Sequence, residues 1–86
     1  MATVEFLGVP RLRAGRAELV VEAATVREAL AAVAGACPRL GDVIGPDGRV
    51  APHYLLSLDG RRFLGDLRQR LEAGDRLLIL SADVGG

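Results

Sequence analysis

Apolar and polar residues alternate in two short segments near the amino terminus. In residues 3–7, Val4 and Phe6 lie on one side of the chain and Thr3 and Glu5 on the other, which is the period of a half-buried strand. Residues 17–22 repeat the pattern. Residues 8–16 contain a proline, two glycines and three arginines, which predicts a loop. The pattern therefore predicts an amino-terminal pair of strands joined by a short loop.

A helical pattern follows. Thr25 is a good N-cap, and Glu28 stands three residues later, so the two side chains are predicted to satisfy amide donors of the first turn as a capping box. Gly35 and Pro38 predict that the helix ends near residues 34–36. Its apolar residues recur at the spacing of one helix face, and they are Val26, Ala29, Leu30, Val33, Ala34 and Cys37. The helix is expected to pack this stripe on a sheet.

The second half contains the turn signals and three further strands. Residues 39–52 are rich in glycine and proline, with a Pro-Asp-Gly turn at 46–48. A strand is predicted at 54–58, and the Asp-Gly dipeptide after it predicts a hairpin to a short strand at 61–63. Residues 76–81 include four consecutive apolar positions, which indicates a central strand buried on both faces or a strand with one face reserved for a partner.

Composition limits the class of protein. The 86 residues suffice for one small domain, and aromatic residues make up only 3% of the chain, so a core of aliphatic side chains is expected with Phe6, Tyr54 and Phe63 as its large members. Net charge is zero and the arginines are scattered, which argues against nucleic acid or an anionic membrane as partner. Apolar runs are too short to span a bilayer, and no signal sequence is recognisable, so a cytoplasmic location is expected.

Two single residues are candidates for chemistry, and both are interpreted as structural. Cys37 is the one cysteine, which excludes an internal disulfide and a multi-cysteine metal site, and its neighbours offer no base. It is expected to fill space near a helix end. His53, the one histidine, lacks a second ligand at a metal-binding spacing and is expected in a loop. No metal and no cofactor are predicted to bind this chain.

The chain ends in Ser81, Ala82, Asp83, Val84, Gly85 and Gly86. Two successive glycines have no Cβ, so the terminal peptide can lie extended in a narrow channel of another protein with its carboxylate sterically bare. A carboxylate becomes reactive toward nucleophiles only after activation, for which adenylation by ATP is the usual route. A frayed end is the alternative. The few residues between the glycines and a rigid strand favour a reactive tail.

The predicted order of elements is strand, strand, helix, strand, short strand and strand, which is that of a β-grasp domain, an α+β fold whose mixed sheet wraps around one main helix. The chain resembles the ubiquitin-like sulfur carrier proteins of the MoaD/ThiS family, including the CysO-type carriers. The resemblance rests on Gly74-Asp75 before the final strand, the apolar run 77–80, the terminal Gly85-Gly86, the Asp59-Gly60 hairpin and the capped helix. Residues 39–52 and His53-Tyr54-Leu55-Leu56 are closer to the MoaD and CysO branches.

This resemblance covers the whole chain, with a β-grasp domain at 1–81 and a flexible, extended reactive tail at 82–86. It implies that an enzyme of the ubiquitin-activating type adenylates Gly86 with Mg and ATP. Sulfur from a persulfide or sulfide then displaces AMP to leave a thiocarboxylate, which supplies a downstream synthase. The chain would be a co-substrate rather than an enzyme. Molybdopterin, thiamine, cysteine and tRNA thiolation pathways all remain open.

The resemblance also predicts a partner surface. Counting back from the glycines as in ubiquitin-like proteins places Leu77 and Ile79 inward, so Leu78 and Leu80 would lie on the open face beside Leu55. An exposed leucine cluster predicts a docking site, although a covering loop or a homodimer would also explain it. Partners would bind this cluster while the tail, from Ala82, Asp83 and Val84 to Gly85 and Gly86, inserts as an extended strand.

Two other functions remain open from the sequence. One is a ubiquitin-like modifier conjugated through Gly86 to protein lysines, and the other is a non-catalytic β-grasp binding module. All eleven cationic side chains are arginines. The absence of lysine excludes lysine-linked chains of this protein but not single attachment to another one, and the arginine preference of a GC-rich genome accounts for it equally well.

Overall fold

The computed structural model describes residues 1–82, apart from the side chain of Arg62. Two α-helices and a 3₁₀ helix at Pro38–Leu40 accompany the strands. The helices are α1 (Val9–Ala14) and α2 (Val26–Ala36). The strands are β1 (Ala2–Phe6), β2 (Glu18–Val21), β3 (Tyr54–Leu58), β4 (Arg62–Phe63) and β5 (Arg76–Ser81). All five strands form one sheet in the order β2-β1-β5-β3-β4.

β5 is the central strand. It runs parallel to β1, with Val4 opposite Leu77, and antiparallel to β3, with Leu56 opposite Ile79. β2 and β4 pair antiparallel with β1 and β3 at the two edges. The consecutive apolar run gives both faces of β5 apolar side chains, although α2 covers only one of these faces. The predicted α+β fold, a mixed β-grasp sheet around one main helix, is confirmed.

α2 supplies the layer that covers the sheet. Its stripe is buried at Val26, Ala29, Leu30 and Val33, as predicted, and Cys37 is only 5% exposed, which confirms it as a filler at the helix end. Ala34 was also predicted in the stripe but is exposed. At about 100° per residue it lies about 80° from Val26, at the edge of the apolar face, so the sheet does not reach it.

The first turn of α2 is capped by both side chains and backbone. The Glu28 amide donates to Thr25 Oγ1 at 3.2 Å, as the capping box requires. The Glu28 carboxylate, however, accepts from the amide of Ala24 at 2.7 Å, one residue before the N-cap. The amides of the first two helical residues donate to carbonyl oxygens in segment 67–69, at 2.9 Å each. The loop before β5 thus satisfies donors that every helix start leaves unpaired.

The loop predicted at residues 8–16 is wrong, because this segment contains α1. Pro10 occupies the first turn of the helix, where no intrahelical partner exists for an amide and the fixed φ of proline suits the helix. Gly15 ends the helix at φ 73°, and its amide donates to the Arg11 carbonyl at 3.0 Å. Pro10 and Gly15, which predicted a loop, are therefore the residues at the start and the end of a short helix.

The connection between α2 and β3 belongs to the core. Leu40, Val43 and Ile44 are at most 4% exposed, and the predicted turn at 46–48 closes through a hydrogen bond from the Arg49 amide to the Asp47 carboxylate at 3.0 Å. This segment packs in a single cluster with the α2 stripe and the inward side of the sheet.

Leu30→Ala is expected to lower the free energy of unfolding by about 2 to 5 kcal/mol, because Leu30 is fully buried and the substitution leaves a cavity between α2 and the sheet. Leu12→Ala is the matched control: Leu12 is 79% exposed, so the same substitution should change stability by no more than about 0.5 kcal/mol. Urea unfolding of both variants measures the difference. Equal losses would contradict the assigned core.

Candidate functional site

Backbone hydrogen bonds at the end of β5 hold the base of the carboxyl-terminal tail on both sides. The Leu7 amide donates to the Ile79 carbonyl at 3.0 Å, and the Ala82 amide donates to the His53 carbonyl at 2.8 Å. Backbone hydrogen bonds from neighbouring segments therefore accompany the chain up to Ala82, whose side chain is exposed. The tail starts from a fixed point in the fold.

The other predicted tail residues, Asp83, Val84, Gly85 and Gly86, lie outside the described residues. Their roles as partner-binding and reactive positions stay predictions.

The inward and outward assignment of β5 is confirmed. Leu77 and Ile79 are fully buried in the core cluster that contains the α2 stripe, while Leu78 and Leu80 point to the opposite face, which has no helix. Leu55 lies directly across from Leu80, so the predicted neighbourhood exists. The three leucines outside the core are half-buried rather than exposed as predicted, because adjacent side chains on the same face cover part of each one.

Phe63 is the exposed aromatic residue of this face, and its prediction as a core residue is wrong. Its side chain is 66% exposed, and it lies across from Ser57, which in turn lies across from Leu78. Ser57 is only 5% exposed at the centre of this row. Leu55, Phe63, Leu78 and Leu80 together are named here the open-face patch.

Hairpin register explains the position of Phe63. A two-residue loop at the Asp59-Gly60 turn would place Phe63 across from the inward-facing Leu56. Both turn residues do have positive φ, 55° and 70°, but Arg61 is an extra residue in the turn, so Leu58 pairs with Arg62 and Phe63 moves to the other face. A slip of one residue inverts every side chain that follows. The following leucine packs against the core instead.

The side of the open face formed by β1 and β2 carries a cluster of charged side chains as well as the exposed Val20. Arg76 Nη1 donates to Glu18 Oε2 at 2.9 Å and to Glu5 Oε1 at 3.0 Å. Hydrogen bonds to the Glu18 and Glu5 carboxylates raise the pKa of Arg76 above its usual value. The two glutamates lie opposite each other in the β1–β2 ladder, where like charges repel, and the guanidinium offsets that repulsion. The apolar patch is thus confined to the side of β3 and β4.

A cavity of about 240 Å³ adjoins the open-face patch at the β4 edge. Leu55 and Phe63 line it together with Val50, Tyr54 and Asp66. The pKa of Asp66 is lowered because the Arg68 backbone amide and side chain donate hydrogen bonds to its carboxylate. The apolar surface beside the tail therefore continues around the edge of the sheet.

Among residues 1–82, no three His, Cys, Asp or Glu side chains lie together as a metal site. His53 is exposed in a turn, as predicted. Within the same part of the chain, no helix has the length and apolar character needed to cross a bilayer. What the described site offers is an apolar surface beside a firmly held exit for the tail.

Solved structures with the same architecture include SAMP1, CysO and a putative molybdopterin converting factor subunit. SAMP1 from Haloferax volcanii is 29% identical over 99% of this chain and 98% of its own, with a TM-score of 0.83. CysO, in the BexX/CysO complex from Amycolatopsis orientalis, is 21% identical over all of both chains, with a TM-score of 0.81. A putative molybdopterin converting factor, subunit 1, from Pyrococcus furiosus is 18% identical over 93% and 94%, with a TM-score of 0.71.

No protein-family model and no curated protein sequence matches the chain. The resemblance to ubiquitin-like proteins, predicted from the sequence, is confirmed by these structures.

Proposed function

We propose that this protein is a sulfur carrier whose sulfur is held as a thiocarboxylate at Gly86. The Gly86 carboxylate attacks the α-phosphorus of ATP in an enzyme of the ubiquitin-activating type, and pyrophosphate leaves. Sulfide then attacks the carbonyl carbon, the bond to the adenylate oxygen breaks, and AMP leaves. With a persulfide as donor, a thiol must also cleave the sulfur–sulfur bond. ATP and Mg belong to the partner's site, and the setting is the cytoplasm.

The observation that carries this proposal is the geometry around β5. The central strand is held by backbone hydrogen bonds through Ala82, and an apolar patch lies on the open face beside that exit. A carrier of this kind needs no acid, base or metal of its own. Its contribution is to place a bare acyl group in the partner's reactive centre, where correct positioning accounts for much of the rate.

The open-face patch is the proposed docking surface for the activating enzyme and, later, for the sulfur-accepting synthase. Aromatic anchors in a desolvated centre dominate most interfaces, and Phe63 is the aromatic side chain that the patch exposes. A protein of the same fold, CysO from Amycolatopsis orientalis, forms a complex with BexX. Ala82, Asp83 and Val84 would follow into the partner as an extended strand.

A second function is favoured by one comparison. SAMP1 from Haloferax volcanii, 29% identical to this chain, is a small archaeal modifier protein. The same activated Gly86 would then acylate a lysine of another protein, with an amine replacing sulfide as the nucleophile. Because this chain has no lysine side chain, it cannot form lysine-linked polymers of itself. The two functions differ only in the final acceptor.

Intact mass measurement tests the proposal. The protein is incubated with the ubiquitin-activating-type enzyme of its own genome, MgATP and sulfide. We expect an ATP-dependent mass gain that corresponds to one sulfur in place of one oxygen, together with release of AMP. An isopeptide bond to an added protein would support the modifier function instead. If neither AMP release nor a mass change occurs, both functions are wrong.

A further inference from the structure

α1 lies next to the exit of the tail. β1 and β5 are parallel, so their carboxyl ends lie at the same end of the sheet. At that end, the Leu7 amide donates a hydrogen bond to the Ile79 carbonyl. α1 begins at Val9, directly after this bond, and packs against β5 and the 3₁₀ helix. The position of α1 relative to the start of the tail is therefore fixed by the sheet.

α1 buries little of its own apolar surface. Pro10 is its buried residue, whereas Leu12 is 79% and Val9 is 37% exposed. Residues three apart lie on the same side of a helix, so these two form one apolar strip beside the tail exit. A leucine this exposed has no role in the core of the protein.

The same segment is basic. Residues 7–17 include Arg11, Arg13 and Arg16 and no acidic residue. Arg13 forms an ion pair with Asp42 at 2.6 Å. Within residues 1–82 no ion pair joins Arg11 or Arg16 to a carboxylate, and both are exposed. In a chain of zero net charge, this is a local positive surface around an apolar strip.

We propose that Leu12, Arg11 and Arg16 form a second contact surface, which docks on an acidic rim around the channel of the activating enzyme. This inference rests on the proposed function. Seven residues, 80–86, follow the Ile79 carbonyl that binds the segment before α1, and seven extended residues span about 24 Å, so α1 stands within roughly that distance of the adenylation centre when Gly86 reacts. At such a distance the helix must face the enzyme surface around the channel mouth.

Charge complementarity indicates which kind of partner binds this surface. A basic rim beside a tail that ends in a carboxylate attracts an acidic partner surface and orients the tail toward the channel, and steering of this kind raises the association rate. Leu12 lies between the two arginines in sequence, and its burial against the partner would slow dissociation. The open-face patch contacts the enzyme on the other side of the tail exit. The two contact surfaces together fix the direction in which the tail enters the channel.

Association kinetics with the activating enzyme test the inference. Arg11→Glu combined with Arg16→Glu is expected to lower the association rate constant at least about tenfold at low salt, with the difference narrowing as salt screens the charges. The matched control combines Arg27→Glu with Arg70→Glu, which changes net charge equally at the far end of the sheet, where α2 begins. The control should slow association by no more than about twofold. Equal slowing in both variants would overturn the proposal.

Leu12→Ala supplies an independent readout. It should raise the dissociation rate severalfold while thermal unfolding stays unchanged, because the side chain is exposed in the free protein. If the wild type is activated and all α1 variants bind as the wild type does, this inference is wrong and the proposed function stands. If the wild type itself is not activated by the enzyme, the proposed function and this inference both fail.

Discussion

Extending the chain by one alanine after Gly86 is expected to abolish thiocarboxylate formation. One added residue moves the reactive carboxylate by about 3.5 Å, and a displacement of about 1 Å can already cost a hundredfold in rate. Deletion of Gly86 should have the same effect, because the carboxylate then stops short of ATP. Sulfide-dependent mass gain and AMP release measure both variants.

Stability provides the control for the tail variants. The core cluster lies between Ala2 and Ile79, so changes at Gly86 should leave thermal unfolding unchanged. Gly85→Val should be nearly as damaging as the deletion and Gly85→Ala less so, because a β-branched side chain widens a segment that must pass a narrow channel. Full activity in the extended or shortened chain would show that Gly86 is not the activated residue.

Phe63→Asp and Leu80→Asp are each expected to weaken binding to the activating enzyme more than tenfold, which is about 1.4 kcal/mol or more. Both substitutions would bury a carboxylate in the centre of the proposed apolar interface, which is costly without a paired charge. Phe63 is the cleaner site, because it is 66% exposed and its replacement leaves no cavity. Titration calorimetry gives the affinity, and thermal unfolding gives the folded fraction.

Val20→Asp is the matched control for the open-face patch. Val20 is 54% exposed on β2, on the same face of the sheet but beyond the ion pairs of Arg76 with Glu5 and Glu18. Its substitution should change the affinity by no more than about twofold, as is usual at the rim of an interface. If Val20→Asp weakens binding as much as Phe63→Asp, the contact surface is not the open-face patch.

The sequence by itself determined the elements whose signals are local. The apolar stripe and the Thr25 cap placed α2, since helix periodicity and capping need only residues within a few positions of one another. The apolar run placed β5 at Arg76–Ser81, and alternation along it separated Leu77 from Leu78. The order of these elements predicted the fold class, whereas the outward position of Leu78 and Leu80 followed from the resemblance to ubiquitin-like proteins.

Only the tertiary structure decided the segments whose sequence is compatible with two local conformations. Pro10 and Gly15 suit a loop as well as a six-residue helix, and α1 forms because it can pack on β5 and the 3₁₀ helix at the sheet edge. Phe63 was assigned to the wrong face because an Asp-Gly turn permits a loop with or without an extra residue. Only the pairing of β3 with β4 chooses the register, and that choice moves the aromatic ring from the core to the open-face patch.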